Sequence, residues 1–197
     1  MPCTPEHISI VIPVAAGETA HHQLLDDLKN YDFEIIISEQ GARAKSLNAG
    51  AAKSTREFLW FLHADSRVTS DNIEKLLTAV SQNPDALHYF DLQFTEGGMA
   101  RLNAIGANVR SRLFGWPYGD QGFCMSKSTF DKIGPYPEDA IMGEDLLHIR
   151  IAKKRGVTLS RIPSKLQTSA RKYIERGWLK LTILRLYHMI QLLRTPL

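Results

Sequence analysis

Hydrophobic and polar positions alternate between two periods along the first half of the chain. His7 to Val14 is a short β-branched run closed by Pro13 and predicts a buried strand. Ala20 to Asn30 carries apolar residues at helical spacing. Phe33 to Ser38 and Glu57 to His63 repeat the strand pattern. Ala44 to Ser54, rich in Ala, predicts a helix between them. Thr69 to Gln82 reads as a helix capped by Ser70. Ala86 to Phe94 predicts a fourth strand. Strict strand–helix alternation in this first half predicts an α/β fold with right-handed crossovers and a mostly parallel sheet flanked by helices.

The second half is less regular. Met99 to Phe114 reads as a helix, Gly115 to Phe123 as a Gly-rich aromatic segment, and Gly134 to Pro137 as a Pro-rich loop. Glu144 to Arg155 predicts a helix, Val157 to Ile162 a short strand, and Glu175 to Arg194 a terminal helix. No repeat or linker divides the chain. The expectation is one domain over 1–197, with a nucleotide-binding half (about 1–95) and an acceptor half with the terminal helix (about 96–197).

Composition adds exclusions. The 197 residues are 44% hydrophobic and 23% charged, which excludes collagen-like and wholly disordered chains. No apolar run reaches the roughly 20 residues of a membrane span, and Met1 to Val14 does not resemble a secretory signal. Cys3 and Cys124 have no ligand spacing and read as free thiols of a cytoplasmic protein. Charge is uneven. Lys165 to Leu197 holds seven basic residues, Lys172 and Arg176 among them, against one acid, Glu175, a net of +6. The remainder carries 17 basic and 20 acidic residues. A basic tail on a mildly acidic body suits an anionic partner.

In an open parallel α/β sheet, ligands bind beyond the carboxyl ends of the strands. Three such ends carry Pro13 to Glu18, Ser38 to Gly41, and His63 to Ser66. Asp65 follows a very apolar strand and can offer its carboxylate to Mg²⁺ or a similar ion, which completes its shell with water and substrate phosphate. Arg43, Lys45 and Asn48, at a helix start, can meet phosphate. The Glu144-Asp145 pair can compensate a helix dipole or take a proton from a hydroxyl. The Gly119–Gly122 turn, which holds Asp120 and Gln121, is flexible enough to approach a ligand on the acceptor side, with Trp116 and Tyr118 as stacking surfaces.

Taken together, these motifs resemble GT-A fold, family 2 glycosyltransferases. The residues that carry the likeness are ISIVIPV with Glu18, FLWFLHADS, and Glu144-Asp145. A subgroup of small bacterial members, associated with radical-SAM/selenodomain proteins, is most similar. Its pattern is matched by Ala42-Arg43-Ala44 through Asn48-Ala49-Gly50-Ala51, Phe61 to Asp65, Gly119 to Gly122, and Glu144-Asp145. The resemblance implies a sugar transferred from a nucleotide-diphosphate sugar to a hydroxyl acceptor. It implies nucleotide contacts at Pro13, Ala15, Glu18, Glu39, Arg43, Asn48, Ala64 and Asp65. Asp65 would hold Mn²⁺ or Mg²⁺, and Asp145, with Glu144, would supply the base. Inversion suits a side-chain base. His63 stands where the family has the first Asp of Asp-x-Asp, and Gln167 with Arg171-Lys172-Tyr173 only loosely follows its Gln-x-x-Arg-Trp element. A non-catalytic nucleotide- or sugar-binding protein and a sugar nucleotidyltransferase are the alternatives. Nucleic acid is not expected as a partner.

On the terminal helix, Lys180, Arg185, His188, Gln191 and Arg194 share one face, and Leu179, Leu181, Ile183, Leu186, Met189, Ile190, Leu192 and Leu193 the other. Such a helix can pack on the core, form a homodimer contact, or lie at a membrane interface. The membrane option places the protein at the inner face of the cytoplasmic membrane, beside a lipid-linked acceptor.

Overall fold

The computed structural model describes residues 2–96, 98–140 and 142–194. The side chains of Lys172 and Arg176, counted in the basic tail, lie outside the described set, as do residues 195–197. Six strands form one sheet: β1 (Ile8–Pro13), β2 (Glu34–Ser38), β3 (Phe58–Phe61), β4 (Leu87–Phe94), β5 (Phe123–Ser126) and β6 (Leu159–Thr168). Their order is β2-β1-β3-β5-β4-β6. Five run in one direction. β5 is antiparallel to both β3 and β4. The sheet is mostly parallel, as expected, and β5 is the strand that runs against the others. The reason lies in its connection. The chain leaves β4 at the carboxyl edge, makes helix α4 (Ala100–Phe114), and re-enters from that same edge, so the next strand must run backwards.

The remaining helices are α1 (His21–Leu28), α2 (Arg43–Lys53), α3 (Ser70–Gln82), α5 (Lys127–Ile133), α6 (Glu144–Lys154), α7 (Arg171–Arg176) and α8 (Trp178–Arg194). Strand alternation divides the core between two faces. Ile8, Ile10, Ile12 and Trp60 pack with Leu24 and Leu28 of α1 and Ile73 and Leu76 of α3. Val11, Leu59 and Phe61 point the other way, with Leu47 of α2 and Ile149 of α6. All are at most 3% exposed, and full burial of each Ile or Leu contributes about 1.5–3 kcal/mol.

Several boundaries differ from the sequence expectation. The N-cap of α3 is Thr69, not Ser70. Thr69 Oγ1 accepts from Asn72 N–H, and Thr69 N–H donates to Asn72 Oδ1 at 2.9 Å, a reciprocal cap. β6 runs past Pro163 to Thr168. Its register against β4 slips between Phe90 and Asp91, which accommodates a proline with no N–H to donate. The terminal helix is broken into α7 and α8 at Gly177, whose φ of 82° is left-handed. Its inner face also differs. Leu181, Arg185, His188 and Leu192 are buried or half-buried, while Leu179, Ile183, Leu186 and Ile190 are exposed. Among the described residues no helix is long and apolar enough to cross a membrane.

Candidate functional site

The carboxyl ends of β1, β2, β3, β4 and β6 and the start of β5 share one rim of the sheet. The expected nucleotide contacts lie along it. Pro13 ends β1, and Ala15 is exposed in the following turn. Glu18 accepts from its own turn through Ala20 N–H at 3.0 Å, and from Arg171 at 3.3 Å. The Ala20 hydrogen bond and Arg171 hold its carboxyl below the usual range against partial burial. Glu39 is exposed beyond β2. Ala64 packs on the core and Asp65 is half-buried beside it. Asp65 Oδ1 accepts from Thr168 Oγ1 at 3.1 Å, so the β3 end is tied to the β6 end.

At the centre of the rim stands Arg43, the first residue of α2. Its Nη1 donates to Glu144 Oε1 at 2.5 Å and to Asp145 Oδ2 at 2.7 Å. Its Nη2 donates to His63 Nε2 at 2.5 Å. Arginine has only donors, so this nitrogen accepts and the ring is neutral, with its proton on Nδ1. Glu144 and Asp145 open α6, where the helix dipole favours negative charge. Burial works against the charge on Arg43, but Asp145 and Glu144 outweigh it, and the guanidinium pKa is raised. The structure thus joins residues 101 and 102 positions apart into one ion cluster. Gly119 permits the close approach. A Cβ there would press on Arg43 Nη2 and lie 2.6 and 2.7 Å from the Asp145 oxygens.

The expected acceptor residues divide. Asp120 is next to this cluster, with Oδ1 buried and without a hydrogen-bond partner among the described residues. Burial raises its pKa, and Arg110 and Arg185 pull the other way. Asp145 Oδ1 is likewise buried and unpartnered. Each carboxyl thus keeps one buried oxygen without a partner among the described residues, beside the same ion cluster, and such groups mark functional sites. Tyr118 is near them, its ring covered by the Arg110 guanidinium at 3.7 Å.

Other expected residues have structural duties. Gln121 is fully buried. It accepts from Ser111 Oγ at 2.6 Å and donates to Phe90 O at 2.8 Å, which pins the turn expected to be flexible. Trp116 stacks on Phe114 and lies by Lys153, at the far end of α6 from the acidic pair. Asn48 faces the second half rather than open space. Its amide donates to Tyr136 O and Glu138 Oε1, and its Oδ1 accepts from Tyr136 N–H, all at 2.9 Å.

Tyr136 lines the site and His148 packs behind it, though the sequence singles out neither. Tyr136 borders the cleft with Arg43, His63, Gly119 and Asp145, and its ring stacks on His148 at 4.1 Å. Tyr136 sits in a loop signalled only by its prolines, and His148 reads as one residue of an ordinary helix face. Neither position carries a local signal.

No group of three or more His, Cys, Asp or Glu converges on a metal position among the described residues. His63 Nε2 is engaged by Arg43. Asp65 Oδ2 makes no hydrogen bond to the described residues. One half-buried carboxylate at a strand end fits an ion that takes few protein ligands and keeps water and phosphate oxygens.

Comparison with known proteins agrees with this architecture. The sequence profile of glycosyl transferase family 2 matches residues 19–104. A comparison with curated proteins finds no match. Among solved structures, S. aureus TarS superposes with a TM-score of 0.65 at 12% identity, over 83% of this chain and 36% of that one. S. aureus TarS 1-349 gives 0.62 at 11% identity, over 82% and 60%. The same fragment in complex with UDP-GlcNAc gives 0.61 at 12%, over 82% and 58%. The chain therefore spans 36–60% of the length of these structures. Likeness at this identity speaks to the fold, and the chain carries a GT-A-like α/β fold whose residues 19–104 match glycosyl transferase family 2.

Proposed function

We propose that the protein is a glycosyltransferase that moves a sugar from a nucleotide-diphosphate sugar to a hydroxyl acceptor. The observation that carries this reading is the Arg43–Glu144–Asp145 cluster at the carboxyl rim of a GT-A-like sheet. The match of residues 19–104 to family 2, and the UDP-GlcNAc held by S. aureus TarS 1-349, support a nucleotide-sugar donor. The narrower likeness to radical-SAM/selenodomain-associated members rests on sequence motifs alone.

Asp145, a buried carboxylate with Oδ1 unpartnered, takes the proton of the acceptor hydroxyl. The hydroxyl oxygen attacks the anomeric carbon as the bond to the diphosphate breaks. Attack from the face opposite the leaving group inverts the anomeric centre. Arg43 turns its guanidinium from the acidic pair to the departing diphosphate and stabilises the charge that builds there. Asp65 would hold Mn²⁺ or Mg²⁺, which supplies further neutralisation of that charge. The reading sets the enzyme in the cytoplasm, at the inner face of the membrane, with a lipid-linked hydroxyl as acceptor.

The test is a thermal-shift screen of nucleoside diphosphates and their sugar conjugates with and without Mn²⁺, followed by turnover of the stabilising donor. Ligands that bind only the folded state raise its apparent stability. Asp65→Ala is expected to abolish the Mn²⁺-dependent part of donor binding. Asp145→Asn is expected to cut turnover by ~10²–10⁴ while donor binding survives. Donor binding without turnover under any acceptor would favour a non-catalytic binding protein. Near-normal turnover in Asp145→Asn would move the base to Asp120.

A further inference from the structure

α4 is packed inside out. Its small residues, Ala100, Ala104, Ala107 and Ser111, form the buried face against the sheet. Its large apolar residues, Leu102, Ile105, Val109 and Leu113, recur at i, i+3, i+7 and i+11 on the opposite face and are 47–73% exposed. α8 lies beside it. Asn103 Nδ2 donates to Thr182 Oγ1 at 3.0 Å, and Trp178 Nε1 donates to Asn103 Oδ1 at 3.1 Å. α8 also leaves an apolar stripe uncovered, Leu179, Ile183, Leu186 and Ile190, 39–61% exposed. Single exposed apolar residues need no explanation, but two neighbouring stripes of this size mark an interaction surface.

Charge decides what covers it. α4 carries Arg101, Arg110 and Arg112; α8 carries Lys180, Arg185 and Arg194; neither has an Asp or Glu. Arg101, Lys180 and Arg194 are exposed and form no ion pair with the described residues. A two-fold contact between copies would set these acid-free helices against each other and leave like charges facing. An anionic lipid surface takes both features at once: the stripes enter the acyl boundary and the cations meet phosphate headgroups.

We propose that α4 and α8 together form a docking face for an anionic lipid bilayer. The face adjoins the candidate site. Leu192 of α8 sits over Gly143, the residue before Glu144, and Arg185 lends its charge to the surroundings of Asp120. An acceptor held in the lipid would meet the rim from this side. The inference deepens the membrane side of the proposed function, but its test reads lipid binding and does not require sugar transfer.

The experiment is flotation of the whole chain with vesicles of phosphatidylcholine alone and of equal parts phosphatidylcholine and phosphatidylglycerol, at low and high salt. Binding is expected to the anionic vesicles at low salt and to fall at high salt, with each exposed cation adding about fivefold to the partition. Ile105→Glu combined with Ile183→Glu is expected to weaken binding about tenfold or more while the thermal melt and donor binding stay unchanged. Both positions are more than half exposed, so the substitutions do not enter the core. Wild-type protein that stays off anionic vesicles at low salt overturns the proposal. So does a double variant that binds as well as wild type. A dimer dissociated by the same substitutions, without vesicle binding, assigns the face to self-association and also overturns it. Loss of transfer on a soluble acceptor, with vesicle binding intact, would count against the transferase reading alone.

Discussion

Arg43 is the residue on which the candidate site turns, and Gly119 sets the space around it. The backbone of Gly119 is not in the left-handed region, so alanine can adopt its conformation. The obstacle is the Cβ itself, which would meet Arg43 and the Asp145 carboxylate. Gly119→Ala is therefore expected to displace the ion cluster and cost about 1–3 kcal/mol of stability. Turnover should fall far more than the melting temperature; full turnover would show that the cluster is not catalytic. A second consequence follows from the competition for Arg43. On the proposed reading, a diphosphate and the acidic pair compete for the same guanidinium. Removing one competitor in Glu144→Gln should raise metal-free affinity for a nucleoside diphosphate several-fold, measured by titration calorimetry. Weaker binding in that variant would place Arg43 outside the diphosphate site. Arg43, Asp65, Glu144 and Asp145 are each legible in the sequence, because each sits at a predicted strand end or helix start. Their pairing is not, since it joins positions about a hundred residues apart and depends on a glycine whose role is a missing atom.

Among the elements, α6 ties chemistry to stability. One turn after Asp145 it buries His148 between Tyr136 and Phe130, with neither ring nitrogen hydrogen-bonded to the described residues. Burial pushes the His148 pKa down to about 4 against the pull of Asp145. Below pH 6.5 the unfolded chain takes up a proton that the folded chain refuses until about pH 4. Stability is then full above pH 6.5 and falls as pH drops through that window, by about 3 kcal/mol in all from this residue. His148→Phe is expected to remove most of that loss in urea titrations at pH 7 and pH 5. Fully buried His88, its pKa also lowered by burial, leaves a residual slope. An unchanged slope in the variant would refute the assignment. The apolar runs of β1, β3 and β4 and the period of α3 are strong enough to read directly. β5 is as short as β3 but lacks its long apolar run, and α5 has only seven residues, so neither stands out in the sequence and tertiary pairing makes them. β6 reads only as far as Pro163, because a proline inside a strand signals its end unless a register slip absorbs it.

On the scale of the whole molecule, the two halves expected from the sequence interleave. β5 and β6 come from 96–197, yet they stand between and beside strands of 1–95. β3 pairs with β5 over four positions and makes no pair with β4. β4 pairs with β6 over eight positions and with β5 at His88–Cys124. A chain ending at residue 95 would leave β4 without any partner strand and expose its backbone groups to water. Trp60 and Phe90, stacked at 5.8 Å across the β5 gap, would lose Cys124, Ile162 and Leu166 from their surroundings. The contacts across the rim would go as well: Arg43 to the acidic pair, Asn48 to Tyr136, and Asp65 to Thr168. β1, β2 and β3 alone keep a three-stranded sheet, but one of its faces has lost α6. Residues 1–95 expressed alone are therefore expected to show no cooperative thermal transition, to bind a hydrophobic dye, and to lack slow-exchanging amides in β4. A cooperative melt with protected β4 amides would mean that the nucleotide-side half folds by itself, and that the second half docks onto a finished sheet.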